Sequence, residues 1–177
     1  MRGGGVAIVG SLLQNVDSKL IDVNVLMASQ LFVELATSSK QTKLLYQFYH
    51  SILFDFRIWS RSEFHMQVGH SQYLASLIMA DRKYFRKKFG VQFLLDVIRQ
   101  HYSNIDSGNG LSHEDQKTIR ASLFGLVKFF LQKEVNAKEV SALMSFIFSF
   151  RKSEILSEII DLLLQKMGGP GPPWLCV

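Results

Sequence analysis

The densest chemistry in this chain is the strip Arg82-Lys83-Tyr84-Phe85-Arg86-Lys87-Lys88-Phe89. From Arg82 to Arg99 there are six basic residues (Arg82, Lys83, Arg86, Lys87, Lys88 and Arg99) and one acid, Asp96, so this stretch holds the whole net charge of +5. A local run of cations interleaved with aromatics can neutralise nucleic-acid phosphates, anionic lipid headgroups or the acids of a protein partner. The competing reading is a solvated helix end, where cations complement the macrodipole. Arg82, Lys83, Arg86, Lys87 and Lys88 are therefore the candidate binding patch.

Other residue types offer less. Gly5 to Ser11 has two glycines at phosphate-loop spacing, but the lysine that should follow the second is absent. The five histidines are His50, His65, His70, His101 and His113. None forms a His-Glu-x-x-His pair, and His65 and His70 are five apart, poorly aligned on a helix face. They read as surface or packed helical residues. There is no Gly-x-Ser-x-Gly elbow, and the one cysteine, Cys176, lies next to the last residue. It allows no intrachain disulfide and no cysteine cluster for a metal. The 14 phenylalanines could form a stacking surface, but the helical spacing of Phe56 and Trp59 favours core filling. The expectation is a protein that is not an enzyme, with no catalytic residue, cofactor or metal site.

The elements that position these residues read as helices. The chain has 177 residues, 47% apolar and 20% charged, and its three prolines all lie at or beyond Pro170. A proline-free stretch of that length suits uninterrupted helices. Met1 to Gly5 reads as loose, and the segment 1–16 as partly flexible. Asp17 and Ser18 are candidate caps for a helix over 19–36, with Ile21, Val25, Ala28, Phe32 and Leu35 on one face and Leu26 and Val33 on a second. Thr42 caps a helix to Trp59 carrying Leu45, Tyr49, Ile52, Phe56 and Trp59. A third spans 67–81, with Val68, Tyr73, Leu74, Leu77 and Ile78 buried. Gly90 turns the chain into a run over 91–102 through Leu94, Leu95 and Ile98.

Residues 103–111 form the clearest loop. Ser112 with Asp115 resembles a capping box and opens a helix to Glu134 with Ile119, Leu123, Leu126 and Phe130 on one face. Asn136 with Glu139 caps the next, to Phe150. Ser153 opens the last, with Leu156, Ile160, Leu163 and Met167 in register, ended by Gly168-Gly169-Pro170. The tail 168–177 reads as disordered. No strand alternation appears. The apolar runs, including the one after Arg2, fall short of the ~20 residues that span a bilayer, and that first run has no small-x-small cleavage site. About seven helices in 17–167 fit either a compact bundle or an α-solenoid of armadillo or HEAT type.

Three stretches carry a resemblance: Leu53-Phe54-Asp55-Phe56-Arg57-Ile58-Trp59, then Gly69-His70 with Gln72-Tyr73-Leu74, then Phe85-Arg86-Lys87-Lys88-Phe89-Gly90-Val91-Gln92-Phe93-Leu94-Leu95-Asp96. In order and spacing they resemble the neurobeachin-like branch of the BEACH-domain family, in the helical-repeat region upstream of its PH-like, BEACH and WD-repeat modules. The resemblance is clearest over 20–103 and extends to 167. It implies an all-α, armadillo-like solenoid fragment acting as a scaffold in vesicle and membrane traffic. It also implies protein partners, a cytoplasmic location with peripheral membrane association, and a larger parent chain. No catalytic residue is carried over. Nucleic acid is the less favoured partner. A piece cut from a solenoid should expose apolar faces that neighbouring repeats cover.

Overall fold

The structure, a computed structural model, describes residues 4–103, 110–150 and 152–166. The expected tail at 168–177 and the centre of the 103–111 loop lie outside the described residues. The helices are α1 (Gly4–Asn15), α2 (Val23–Ser38), α3 (Thr42–Phe48), α4 (Phe56–Trp59), α5 (Phe64–Ala80), α6 (Arg82–Lys88), α7 (Val91–His101), α8 (His113–Leu131), α9 (Ala137–Ser149) and α10 (Ser153–Lys166). No strand occurs among the described residues. The chain divides into two compact units, Met1–Leu74 with Asp106–Asp115, and Ala75–Ile105 with Gln116–Val177.

In the first unit, residues 4–15 of the segment expected to be partly flexible form α1. It packs on α3, α4 and the turn after α3. The reason is Gly10, where an added Cβ would stand 2.4 Å from the Ser51 carbonyl oxygen. Only glycine lets the two backbones approach this closely. The same helix absorbs the phosphate-loop look-alike, because Gly5 to Ser11 is helical.

Asp17 caps a short 3-10 turn, and Asp22 caps α2 through the amides of Asn24 and Val25. The buried face of α2 is Leu26, Ser29, Val33 and Ala36. Ile21 of the expected first row is buried, but the row on α2 itself runs through the expected second face, Leu26 and Val33, one residue on from Val25, Ala28, Phe32 and Leu35, a rotation of about 100°. Apart from Ser29 both rows are apolar, so periodicity alone could not choose between them.

The expected helix from Thr42 to Trp59 is broken. After α3, residues Tyr49–Leu53 form a π-helical turn, and Phe54 N–H donates to the Tyr49 carbonyl at 2.9 Å. Asp55 then caps α4. Such turns widen the helix and leave carbonyls available to other donors.

In the second unit, the basic strip is a helix of its own, α6, capped by the Asp81 side chain on Tyr84 N. Phe85 is its buried anchor. The two expected caps downstream are present: Ser112 Oγ accepts from Asp115 N at 3.1 Å, and Asn136 and Glu139 form a reciprocal capping box. α8 buries Ile119, Leu123, Leu126 and Phe130, as its spacing requires. α10 shifts by one residue in the opposite direction, burying Ile155, Ile159 and Leu162 in place of the expected Leu156, Ile160 and Leu163 and leaving Ile160 exposed.

Cross-links between α8 and α10 fix their direction. Lys117 meets Glu154, Arg120 meets Glu158 and Lys128 meets Gln165. The numbers rise together, so the helices run parallel, offset by 38 residues at Arg120 and 37 at Lys128. α7 likewise packs on α9, two helices on. In this unit, contact of α7 with α9 and of α8 with α10, the latter at an offset of 37 to 38 residues, fits the geometry of stacked two-helix repeats.

Candidate interaction surface

α6 divides the candidate patch. Arg82 turns inward, and its Nε and Nη2 donate to the carbonyls of Phe129 and Phe130, Nε at 3.2 Å. These carbonyls end α8, so the guanidinium satisfies orphan acceptors at the negative pole of that helix. It also lies over the Phe129 ring at 5.9 Å. Arg86 is similarly engaged. Its Nε donates to Glu139 Oε2 at 3.0 Å, its Nη1 to Glu134 Oε1 at 3.1 Å, and its Nη2 to the Glu134 carbonyl at 2.9 Å.

Glu139 joins Arg86 to the start of α9, because its Oε1 also accepts from Asn136 N at 3.0 Å. Burial pulls the Glu139 carboxyl upward. The Arg86 hydrogen bonds, the Asn136 N–H and the charges of Arg86 and Arg82 outweigh that pull and hold it below its ordinary value.

Lys83, Lys87 and Lys88 stay exposed on α6. Lys87 and Lys88 border a cleft of about 540 Å³. Its walls include Gly90, Val91 and Phe93 of the α6–α7 corner, and Lys138 of α9. Sequence reasoning missed Lys138, which lies 50 residues beyond Lys88. Nothing local could have joined them.

The arginines outside the strip were missed for the same reason. Arg61 donates to the carbonyls of Leu13 and Val16 at 2.8 and 3.0 Å, closing the end of α1. Arg120 donates to the Tyr102 carbonyl at 2.9 Å and makes a two-pronged pair with Glu158, both contacts at 3.0 Å. Each clips a helix end to an element far away in sequence.

The histidines are not brought together, and no group of three metal-ligating side chains occurs among the described residues. His50 and His113 are exposed, His101 is half-buried, and His65 lies 3.4 Å from Glu63 on the surface. His70 alone is buried, 1% exposed. Its ring stacks on Trp59, centroids 4.3 Å apart and planes 9° apart. Its Nε2 lies 2.7 Å from the Leu53 carbonyl oxygen, which can only accept, so Nε2 carries the proton. Burial lowers its pKa to about 4, although the Leu53 carbonyl works against the shift. Trp59 Nε1 donates to the neighbouring Ile52 carbonyl at 2.8 Å. Beside it, Asp55 accepts from Arg57 Nε and Gln14 Nε2, both at 2.9 Å. Two of the stretches that carry the family resemblance thus meet in one knot around the π-helical turn.

The geometry reads as stacked helices with engaged polar cores and unpartnered flanks. The family model for the neurobeachin/BDCP DUF4704 alpha solenoid region matches residues 1–173. The chain belongs to that family. No solved structure matches it. For this neurobeachin-type solenoid, α-solenoid fold and helical scaffold architecture follow directly. Among the described residues, no helix is long and apolar enough to cross a membrane.

Proposed function

We propose that this solenoid segment is a non-enzymatic scaffold that binds protein partners in vesicle or membrane traffic, from the cytoplasmic side. One observation carries the reading. Val23, Met27, Leu31 and Leu35 are all exposed and follow one another at four-residue intervals along α2. Val140, Met144 and Phe148 repeat the pattern on α9. Contiguous apolar stripes on solenoid helices are faces made to be covered, by a neighbouring repeat or by a partner. By contrast, the strongly buried polar groups described above are engaged in closing helix ends, which supports architecture over catalysis.

The test is affinity capture from lysate with the intact chain and with Met27→Glu/Leu31→Glu, after circular dichroism shows equal helicity. The reading expects vesicle-coat or trafficking proteins among the captured species, and their loss in the variant. Capture that ignores the stripe, or that yields no trafficking protein, sinks it. Dye that reports apolar surface should bind the native chain and bind the variant less.

A further inference from the structure

Resting on that scaffold reading, the geometry points to an acidic segment of a protein partner as the occupant of the cleft between α6, α7 and α9. Three lysines from two separate helices border it: Lys87 and Lys88 at the end of α6, and Lys138 in the first turn of α9. The other charges in its walls are already engaged. Arg86 is held by Glu139, and Asp96 accepts from Arg99 and from Gln92. The lysine ammoniums therefore set the sign of what the cleft presents.

Lysines at the end of α6 have an ordinary explanation, since cations complement a helix C-terminus. Lys138 does not. It stands at the positive end of α9, where a cation opposes the macrodipole. Its position makes sense as the far wall of an anion-accepting cleft.

The shape selects among anions. Val91 is buried and Phe93 half-buried in the lining, so the cleft offers apolar surface below a cationic rim. That combination fits carboxylates flanking an apolar side chain. A concave mouth with three lysines meets a flat bilayer poorly, and is too short to track a nucleic-acid backbone. Gly90 lines the cleft at the α6–α7 corner, where a Cβ would stand 2.2 Å from the Arg86 carbonyl oxygen. No larger residue fits at that corner without moving the end of α6.

The experiment measures fluorescence anisotropy of a fluorescein-labelled Glu-Glu-Leu-Glu-Glu peptide with the full chain. Compared with wild type, Lys87→Glu/Lys88→Glu/Lys138→Glu should weaken binding by about tenfold or more, and raising salt from about 50 to about 200 mM should weaken it further. A charge-matched control, Lys19→Glu/Lys43→Glu/Lys133→Glu, should change it by less than about threefold. Lys138→Glu alone should weaken binding while leaving the thermal midpoint unchanged or raised, because it relieves the dipole clash. If the triple reversal fails to fold, the Lys→Gln set takes its place. Equal losses in pocket and control variants would reduce the effect to net charge and overturn the proposal. So would a wild-type chain that ignores the peptide, or one captured by phosphatidylserine vesicles but not by peptide. Partner capture that survives the triple variant but fails when the α2 stripe is changed would keep the scaffold and reject this cleft.

Discussion

The knot around Trp59 and the junction around Arg86 answer the same problem with opposite chemistry. In each, backbone carbonyls at a helix end need donors. At the π-helical turn, Ile52 and Leu53 receive theirs from an indole and a neutral imidazole, on residues 0% and 1% exposed. At the ends of α8 and its turn, Phe129, Phe130 and Glu134 receive theirs from guanidinium groups. The Arg86 side chain keeps 14% of its surface in solvent and holds two carboxylates. Moving an unpaired charge out of water is expensive, so a dry site calls for neutral donors and a rim site tolerates cations. Arg120 marks the boundary of this rule. Its side chain is only 3% exposed, and Glu158 meets the guanidinium two-pronged.

The comparison breaks most readily at Trp59. Trp59→Ala removes a side chain with no exposed surface, its hydrogen bond and the stack on His70. The expected cost is about 3 to 5 kcal/mol by chemical denaturation. A cost under 1 kcal/mol would show that the π-helical turn holds without its neutral donors.

Acidification separates the two regions by window. The folded His70 pKa lies at about 4 against an ordinary 6.5. Above pH 6.5 the ring is neutral in both states. Between 6.5 and 4 the unfolded chain binds a proton that the folded chain refuses, so stability falls as pH falls. The loss is about 3 kcal/mol across that window. Glu139 works lower. Its folded pKa is depressed below the ordinary 4.5, so its contribution is complete above that value and is lost as pH falls beneath it. His70→Phe should flatten the stability curve between pH 6.5 and 4. Arg86→Met should flatten it only below 4.5, at a cost of about 1 to 3 kcal/mol at neutral pH. Curves of unchanged slope in both variants would remove the distinction between dry and rim donors.

What could be read in advance follows the range of the interaction. Helix starts depend on residues three apart, and Asn136 with Glu139 and Ser112 with Asp115 were legible from spacing alone. Which row of a two-faced helix is covered depends on neighbours, and α2 and α10 each settled one residue away from the expected row. The break at Tyr49–Leu53 was invisible because the apolar spacing runs straight through it; Ile52, Phe56 and Trp59 are buried as a continuous helix would have them. The charge of α6 was plain in the sequence. Its division was not, since the partners of Arg82 and Arg86 lie 47 to 53 residues away. Lys138 entered the cleft for the same nonlocal reason.

Two glycines give the finest test, and they should differ in sign. At Gly10 a Cβ meets the Ser51 carbonyl oxygen at 2.4 Å, and a backbone atom cannot rotate away. Gly10→Ala should therefore push α1 off the π-helical turn and cost about 1 to 3 kcal/mol. Gly125 lies in the middle of α8 with nothing within 4 Å of an added Cβ. There alanine only narrows the unfolded ensemble and restores helix propensity, and Gly125→Ala should stabilise by about 0.5 to 1 kcal/mol. Urea denaturation of the two variants reads the difference directly. Opposite signs would mean that glycine in the first unit serves a close backbone crossing, while in α8 it is a propensity defect that packing does not need. Equal destabilisation would show that the open face of α8 at Gly125 is covered in solution.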